Sequence, residues 1–141
     1  MSYTNLYGIK SDFTAVELKQ YKNSWLFLPQ IYKILGEKYL NEKDTYKVLF
    51  TSKNLDKLER NVSKSKRTED RVLWLLVNQQ IFFTKDKTFI ADCIQKFFME
   101  DVRYYHPDNM DLIEWHDKIR KDISALDEKK YPYFIFIATT F

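Results

Sequence analysis

Two histidines, His106 and His116, and one cysteine, Cys93, are the side chains of this 141-residue sequence best suited to acid–base, nucleophilic or metal chemistry. Both histidines fall in "VRYYHPDNMDLIEWHDKIRKD" (102–122), among four aspartates and one glutamate. Their spacing argues against a metal. Zinc needs His, Cys or carboxylate ligands converging on one point, and here ten residues separate the two rings. The stretch reads more simply as the start of a helix. Pro107 biases His106 away from helical geometry. Asp108 is then an N-cap, with Asp111 three residues on as a short-armed capping box, and Glu114 is mildly favoured by the helix dipole. Cys93 sits beside Ile94 on an apolar stripe and reads as a small core residue. No local signature pairs it with a histidine, so an enzyme centred on His106, His116 and Cys93 ranks third. No catalytic, metal or cofactor residue is assigned.

The string "RYYHPDN" resembles the His-Pro-Asp loop of J-domain co-chaperones, which joins two antiparallel helices and stimulates a chaperone ATPase. That resemblance would make His106, Pro107 and Asp108 the loop triad and Tyr105 the aromatic packed before it. It covers about four residues of the chain. The preceding "KFFMEDV" carries Glu100 and Asp101 where that family's partner-facing helix is basic, so membership is not assigned.

The second constellation is electrostatic. "KLERNVSKSKRTEDR" (57–71) holds Lys57, Arg60, Lys64, Lys66, Arg67 and Arg71, interleaved with Glu59, Glu69 and Asp70. Such cations can neutralise backbone phosphates, and serines 63 and 65 can hydrogen-bond them. The acidic residues in the run would repel a phosphate chain, which favours an acidic protein surface as the partner. Charge is uneven along the whole chain. Residues 1–85 carry 15 basic and 9 acidic side chains, and residues 86–141 carry 8 and 11. A molecule so polarised can steer an oppositely charged partner.

Composition narrows the classes further. One cysteine excludes an internal disulfide, and two glycines leave no dinucleotide fingerprint or phosphate-cradling loop. No cofactor is expected. The start "MSYTNLYGIK" lacks a secretory pattern and no apolar run approaches a membrane span, so a cytoplasmic protein without membrane contact is expected. The length suits one domain spanning residues 1–141, able to fold without metal.

The elements that must position these residues are mostly helical. Helices are expected over 13–21 (N-cap Asp12; inward Phe13, Val16, Tyr21), after Ser24 (Leu28, Ile31, Leu35, Tyr39) and over 54–62 (Leu55, Leu58, Val62). Residues 63–70 read as an exposed polar connection. Thr68 would cap a central helix running to Phe83, and Asp86 a helix through Val102. Leu112, Trp115, Ile119, Ile123 and Leu126 mark the clearest amphipathic helix. Residues 45–52 fit either a strand or a helix, and 133–140 read as a strand that needs 45–52 or the N-terminal arm as its pair. The expected fold is a mainly α bundle, with a small sheet built on 133–140 as its α+β variant.

The function expected is that of a small non-enzymatic protein that binds and masks a macromolecule, the class of phage-encoded inhibitors and toxin-neutralising immunity proteins. The alternative is a nucleic-acid-binding or regulatory domain using 57–71. A homo-oligomer is compatible with either.

Overall fold

The computed structural model describes residues 2–22, 28–40, 52–105, 107–108 and 110–140. The fold is mainly helical, with one four-stranded antiparallel sheet. Strand β1 (Ser2–Ile9) pairs along its whole length with β4 (Tyr133–Thr140), Ser2 opposite Thr140 and Ile9 opposite Tyr133. The N-terminal arm is thus the partner that the C-terminal strand required. Residues 45–51 lie outside the described residues, as does Ser24.

The helix expected over 13–21 does not form. Its residues make a hairpin arm, β2 (Ala15–Lys22), on the other edge of β1. Asp12 caps the turn instead of a helix: its Oδ1 accepts the Thr14 N–H at 3.0 Å. The Phe13 N–H reaches the Lys10 carbonyl at 2.9 Å, and Phe13 takes the left-handed φ of 66°. Phe13, Val16 and Tyr21 fit a helical stripe; in the strand, Val16 and Tyr21 reach the same side of the sheet through the register shift at Leu6/Tyr7. What decides is β1, whose second row of backbone donors and acceptors needs a partner. Gly8 in β1 lies against Tyr131, where a Cβ would stand 2.6 Å from the ring, so only glycine permits this approach.

Helices α1 (Leu28–Leu40), α2 (Ser52–Ser63) and α3 (Thr68–Val77) pack on one another, and α4 (Lys87–Phe97) packs between α3 and α6 (Met110–Ser124). Leu58 and Val62 of α2 are buried and Leu55 is partly buried, as its stripe requires. The residue at the α3 N-cap is Arg67, not Thr68. The same helix stops at Val77 rather than Phe83. Gln79 turns the chain at φ 57°, and Phe82–Phe83 become β3, pairing with Phe134 and Tyr133. Asp86 does hold the N-cap position of α4, without a side-chain cap bond.

Helix α4 runs through a π-helical turn (Phe98–Val102) into α5 (Arg103–Tyr105), and Pro107–Asp108 form the turn before α6. Ile119, Ile123 and Leu126 are buried; the side chains of Leu112 and Trp115 lie outside the description. Leu6, Phe134 and Phe136 carry the sheet's inner face into a core shared with Ile31, Leu35, Leu73, Phe97 and Ile119. The Tyr21 hydroxyl crosses that core to donate to Asp122 Oδ2 at 2.7 Å. Burial, with this carboxylate second, raises the Tyr21 phenol above its ordinary range.

Candidate functional site

The basic run 57–71 divides into two sets. At 100° per residue along α2 and one residue past its end, Lys57, Arg60 and Lys64 fall within an arc of about 60°, on the flank away from Leu58 and Val62. All three are exposed, and so is Lys66 in the following turn. Asp56, about 40° beyond Arg60, and Glu59 beyond it border the basic ridge on one side without falling inside its arc. The turn that carries Lys64 and Lys66 is held by its own bonds. The Ser65 N–H reaches the Val62 carbonyl at 2.9 Å, the Arg67 N–H reaches Ser65 Oγ at 3.1 Å, and Asn61 Nδ2 holds the Tyr39 carbonyl at 2.9 Å.

Arg67 and Arg71 point inward to other work. Arg71 donates to the Ser65 carbonyl and, at 3.1 Å, to Thr68 Oγ1, fastening the turn. Arg67 enters an ion cluster. Its Nη2 lies 2.7 Å from Asp101 Oδ2, 3.2 Å from Glu69 Oε1 and 3.3 Å from Glu100 Oε2. Its Nε is 3.2 Å from Asp70 Oδ2, a contact without hydrogen-bond geometry. Lys38 of α1 bridges Asp70 at 2.7 Å and Asp101 at 3.0 Å. The segment 63–70 is therefore not wholly an exposed connection: Lys64 and Lys66 are exposed, but Glu69 and Asp70 are buried in the first turn of α3.

The electrostatics of this cluster are those of a clamp. Burial raises the Asp101 carboxyl above its ordinary pKa, against the pull of Lys38 and Arg67. Burial opposes the charge on Arg67, but Asp101 and the other carboxylates outweigh it and hold the guanidinium above its usual value. Burial and a hydrogen bond to Asp70 push the Tyr39 phenol up to about 12. Each carboxylate contacts a cation, which suits holding α1, α3 and the π-helical turn together. One oxygen, Asp70 Oδ1, is buried without a hydrogen-bond partner.

The histidine and cysteine set is not brought into a reactive arrangement among the described residues. His116 is buried, its ring stacked on Phe98 at 4.5 Å. Cys93 is buried, and burial raises its thiol, with Glu69 adding to the effect; an activated nucleophile needs the reverse. His106 lies outside the described residues. No group of three or more His, Cys, Asp or Glu among the described residues could hold a metal ion, and none of the described helices is long and apolar enough to cross a membrane.

One surface escaped the reading of the sequence. Phe13, placed there on an inward helical stripe, is exposed and stacks on Tyr133 at 5.7 Å; exposed Phe83 meets the other side of Tyr133 at 5.6 Å. The signal was in β4 itself. "YFIFIA" is apolar at both parities, whereas a sheet with one face in water alternates with polar residues.

No protein-family model, curated protein or solved structure matches the chain.

Proposed function

We propose that the protein acts by binding a macromolecular partner through the exposed basic ridge Lys57, Arg60, Lys64 and Lys66, and that the partner is an acidic protein surface which the binding masks. The observation that carries this reading is the segregation of charge on α2. Three cations share one flank at helical spacing, and a braced turn presents the fourth beside them. Rim cations of this kind steer association and fix orientation. Four cations with no aromatic among them make a weak grip on nucleic acid, because affinity for phosphates grows with each one neutralised and single strands add stacking on rings.

A phosphate backbone is the second reading, and one observation favours it. Glu69 and Asp70 are turned into the ion cluster, so two of the three carboxylates that would have repelled phosphates do not face the ridge.

The test is a capture from native lysate, with and without nuclease, using wild type and the variant Lys57→Glu, Arg60→Glu, Lys64→Glu, Lys66→Glu. A stoichiometric protein retained after nuclease and lost with the variant is the expected result. Loss of every partner on nuclease treatment, with a mobility shift of mixed-sequence nucleic acid that the variant abolishes, would replace it with the second reading. Equal capture by both forms would remove the ridge from the function.

A further inference from the structure

The helices cover one face of the sheet. The other face is apolar along β4 and at the hairpin end of β1, and no described helix lies over it. On β4, Phe134 and Phe136 are buried in the core while Tyr133, Ile135 and Ile137, at the alternate positions, are only half-buried. Beside them stand half-buried Tyr7 and buried Ile9 of β1, and buried Asn5 donates through Nδ2 to Glu17 Oε1 at 2.9 Å. At one end of this outer face the side chains rise well clear of the surface: Phe13 is 72% exposed, Ile81 56% and Phe83 54%. Residues 131–141 contain no charged side chain. The charges that flank the face are on β2. Glu17 lies near the hairpin end, beside Tyr7, and Lys22 at the far end, beside Tyr3.

Phe13 is costly to the isolated chain. It occupies a left-handed turn position that glycine adopts freely and a bulky residue does not, and one side of its ring stacks on Tyr133 while the rest stays in water. Strain retained together with exposure points to a use outside the monomer.

We propose that this outer face is a homodimer interface, in which a second copy of the chain packs sheet against sheet about a two-fold axis lying in the interface and running across the strands. Such an axis lays each strand over its own counterpart in the second copy, running the opposite way. The raised end, with Phe13, Ile81 and Phe83, then meets the low half around Ile137 and Asn5 of the second copy. The same operation brings Glu17 of each copy toward the Lys22 end of the other, so the flanking charges are complementary twice over. Strands of eight residues at about 3.3 Å per residue, spaced about 4.8 Å, give a face on the order of 400–500 Å² per copy. Two copies would then bury roughly 800–1,000 Å², the size of a weak, reversible interface. The basic ridge belongs to the helical layer on the other side of the sheet, so dimerisation leaves it open in both copies.

Sedimentation velocity across a concentration series tests the proposal, with circular dichroism and thermal melting as checks on folding. Wild type is expected to be a dimer with a dissociation constant in the micromolar range. Phe83→Ser and Ile81→Ser are expected to weaken it by roughly tenfold or more each, as loss of large apolar anchors does. Phe13→Gly is expected to weaken the dimer while leaving the diluted monomer at least as stable as wild type, which a merely structural Phe13 would not do. Glu17→Lys and Lys22→Glu should each weaken association, and the double exchange should restore it. A wild type that stays monomeric at the highest soluble concentration would overturn the proposal. So would a dimer whose affinity Phe83→Ser, Ile81→Ser and Phe13→Gly all leave unchanged. Failure of the double exchange to restore affinity would overturn the two-fold assigned here.

Discussion

Lys64 and Arg67 stand three residues apart in one basic run and meet opposite fates. Lys64, one residue past the end of α2, closes the ridge with its charge in solvent. Arg67 opens α3 and is held by Asp101, Glu69, Glu100 and Asp70. The difference lies in what α1 and the π-helical turn bring to each position. Asp101 and Lys38, distant in sequence, converge on the first turn of α3, while nothing described converges on Lys64. A charged run therefore combines two functions that composition alone does not separate: cations that hold the fold and cations left for a partner.

The largest expected effect tests the clamp side of this contrast. Lys38 bridges two carboxylates that are almost wholly buried. Lys38→Met should lower unfolding stability by about 3–5 kcal/mol, because it strands Asp70 and Asp101 with one cation fewer. Urea denaturation measures this; a loss below about 1 kcal/mol, the level of a surface pair, would show that the cluster is not a clamp.

Arg67→Ala comes next. Over a third of its side chain meets solvent, so screening reduces its share, and about 1–3 kcal/mol is expected. A charge reversal at Lys64→Glu, Lys66→Glu, Arg67→Glu would report on the clamp as well as on binding, and a fold that survives it unaltered is not expected. Equal melting temperatures for this triple variant and for Lys64→Glu, Lys66→Glu would erase the contrast.

A pH series sharpens it in another way. The Tyr39 phenol is raised to about 12 in the folded state, from an ordinary value of 10.0. Between these values the unfolded chain has lost a proton that the folded chain keeps, so Tyr39 contributes stability that is full below pH 10 and is lost as pH rises towards 12. Tyr39→Phe should make the fall in stability over this window shallower. Identical slopes for the two proteins would remove Tyr39 from the titrating cluster.

The smallest effect belongs to the ridge. Lys57→Glu or Lys64→Glu should change stability by no more than about 0.5 kcal/mol, as substitutions at exposed positions do. A loss above 2 kcal/mol would mean that these side chains too hold the fold and are not spare for a partner.

Helix α2 was legible because Leu55, Leu58 and Val62 leave polar residues on the remaining positions. Strand β4 was legible from its run of β-branched and aromatic residues. Segment 13–22 was not, since Phe13, Val16 and Tyr21 satisfy a helical spacing that only the demand of β1 for a second partner overrides. The end of α3 was hidden in the same way. Apolar residues continue past Val77, and it is the pairing of Phe82–Phe83 with β4 that turns them into a strand. Of the six cations named from sequence, four lie on the exposed ridge and two brace the fold. The aromatic face is not legible in the sequence around Phe13, because the spacing of that residue suits a helix that does not form.

What the sequence alone determined is local: the amphipathic helices, the C-terminal strand, the turn at Pro107, and the uneven charge. These follow from side-chain period, proline geometry and residue type, which act over a few neighbours. What only the tertiary structure decided is which charges are consumed and which apolar face is left over. Asp101 is paired with Arg67 across 34 residues, and no described helix covers the outer face of β4, because the described helices gather on the other side of the sheet. Both are outcomes of chain path, since burial and ion pairing depend on which distant segments arrive at the same place.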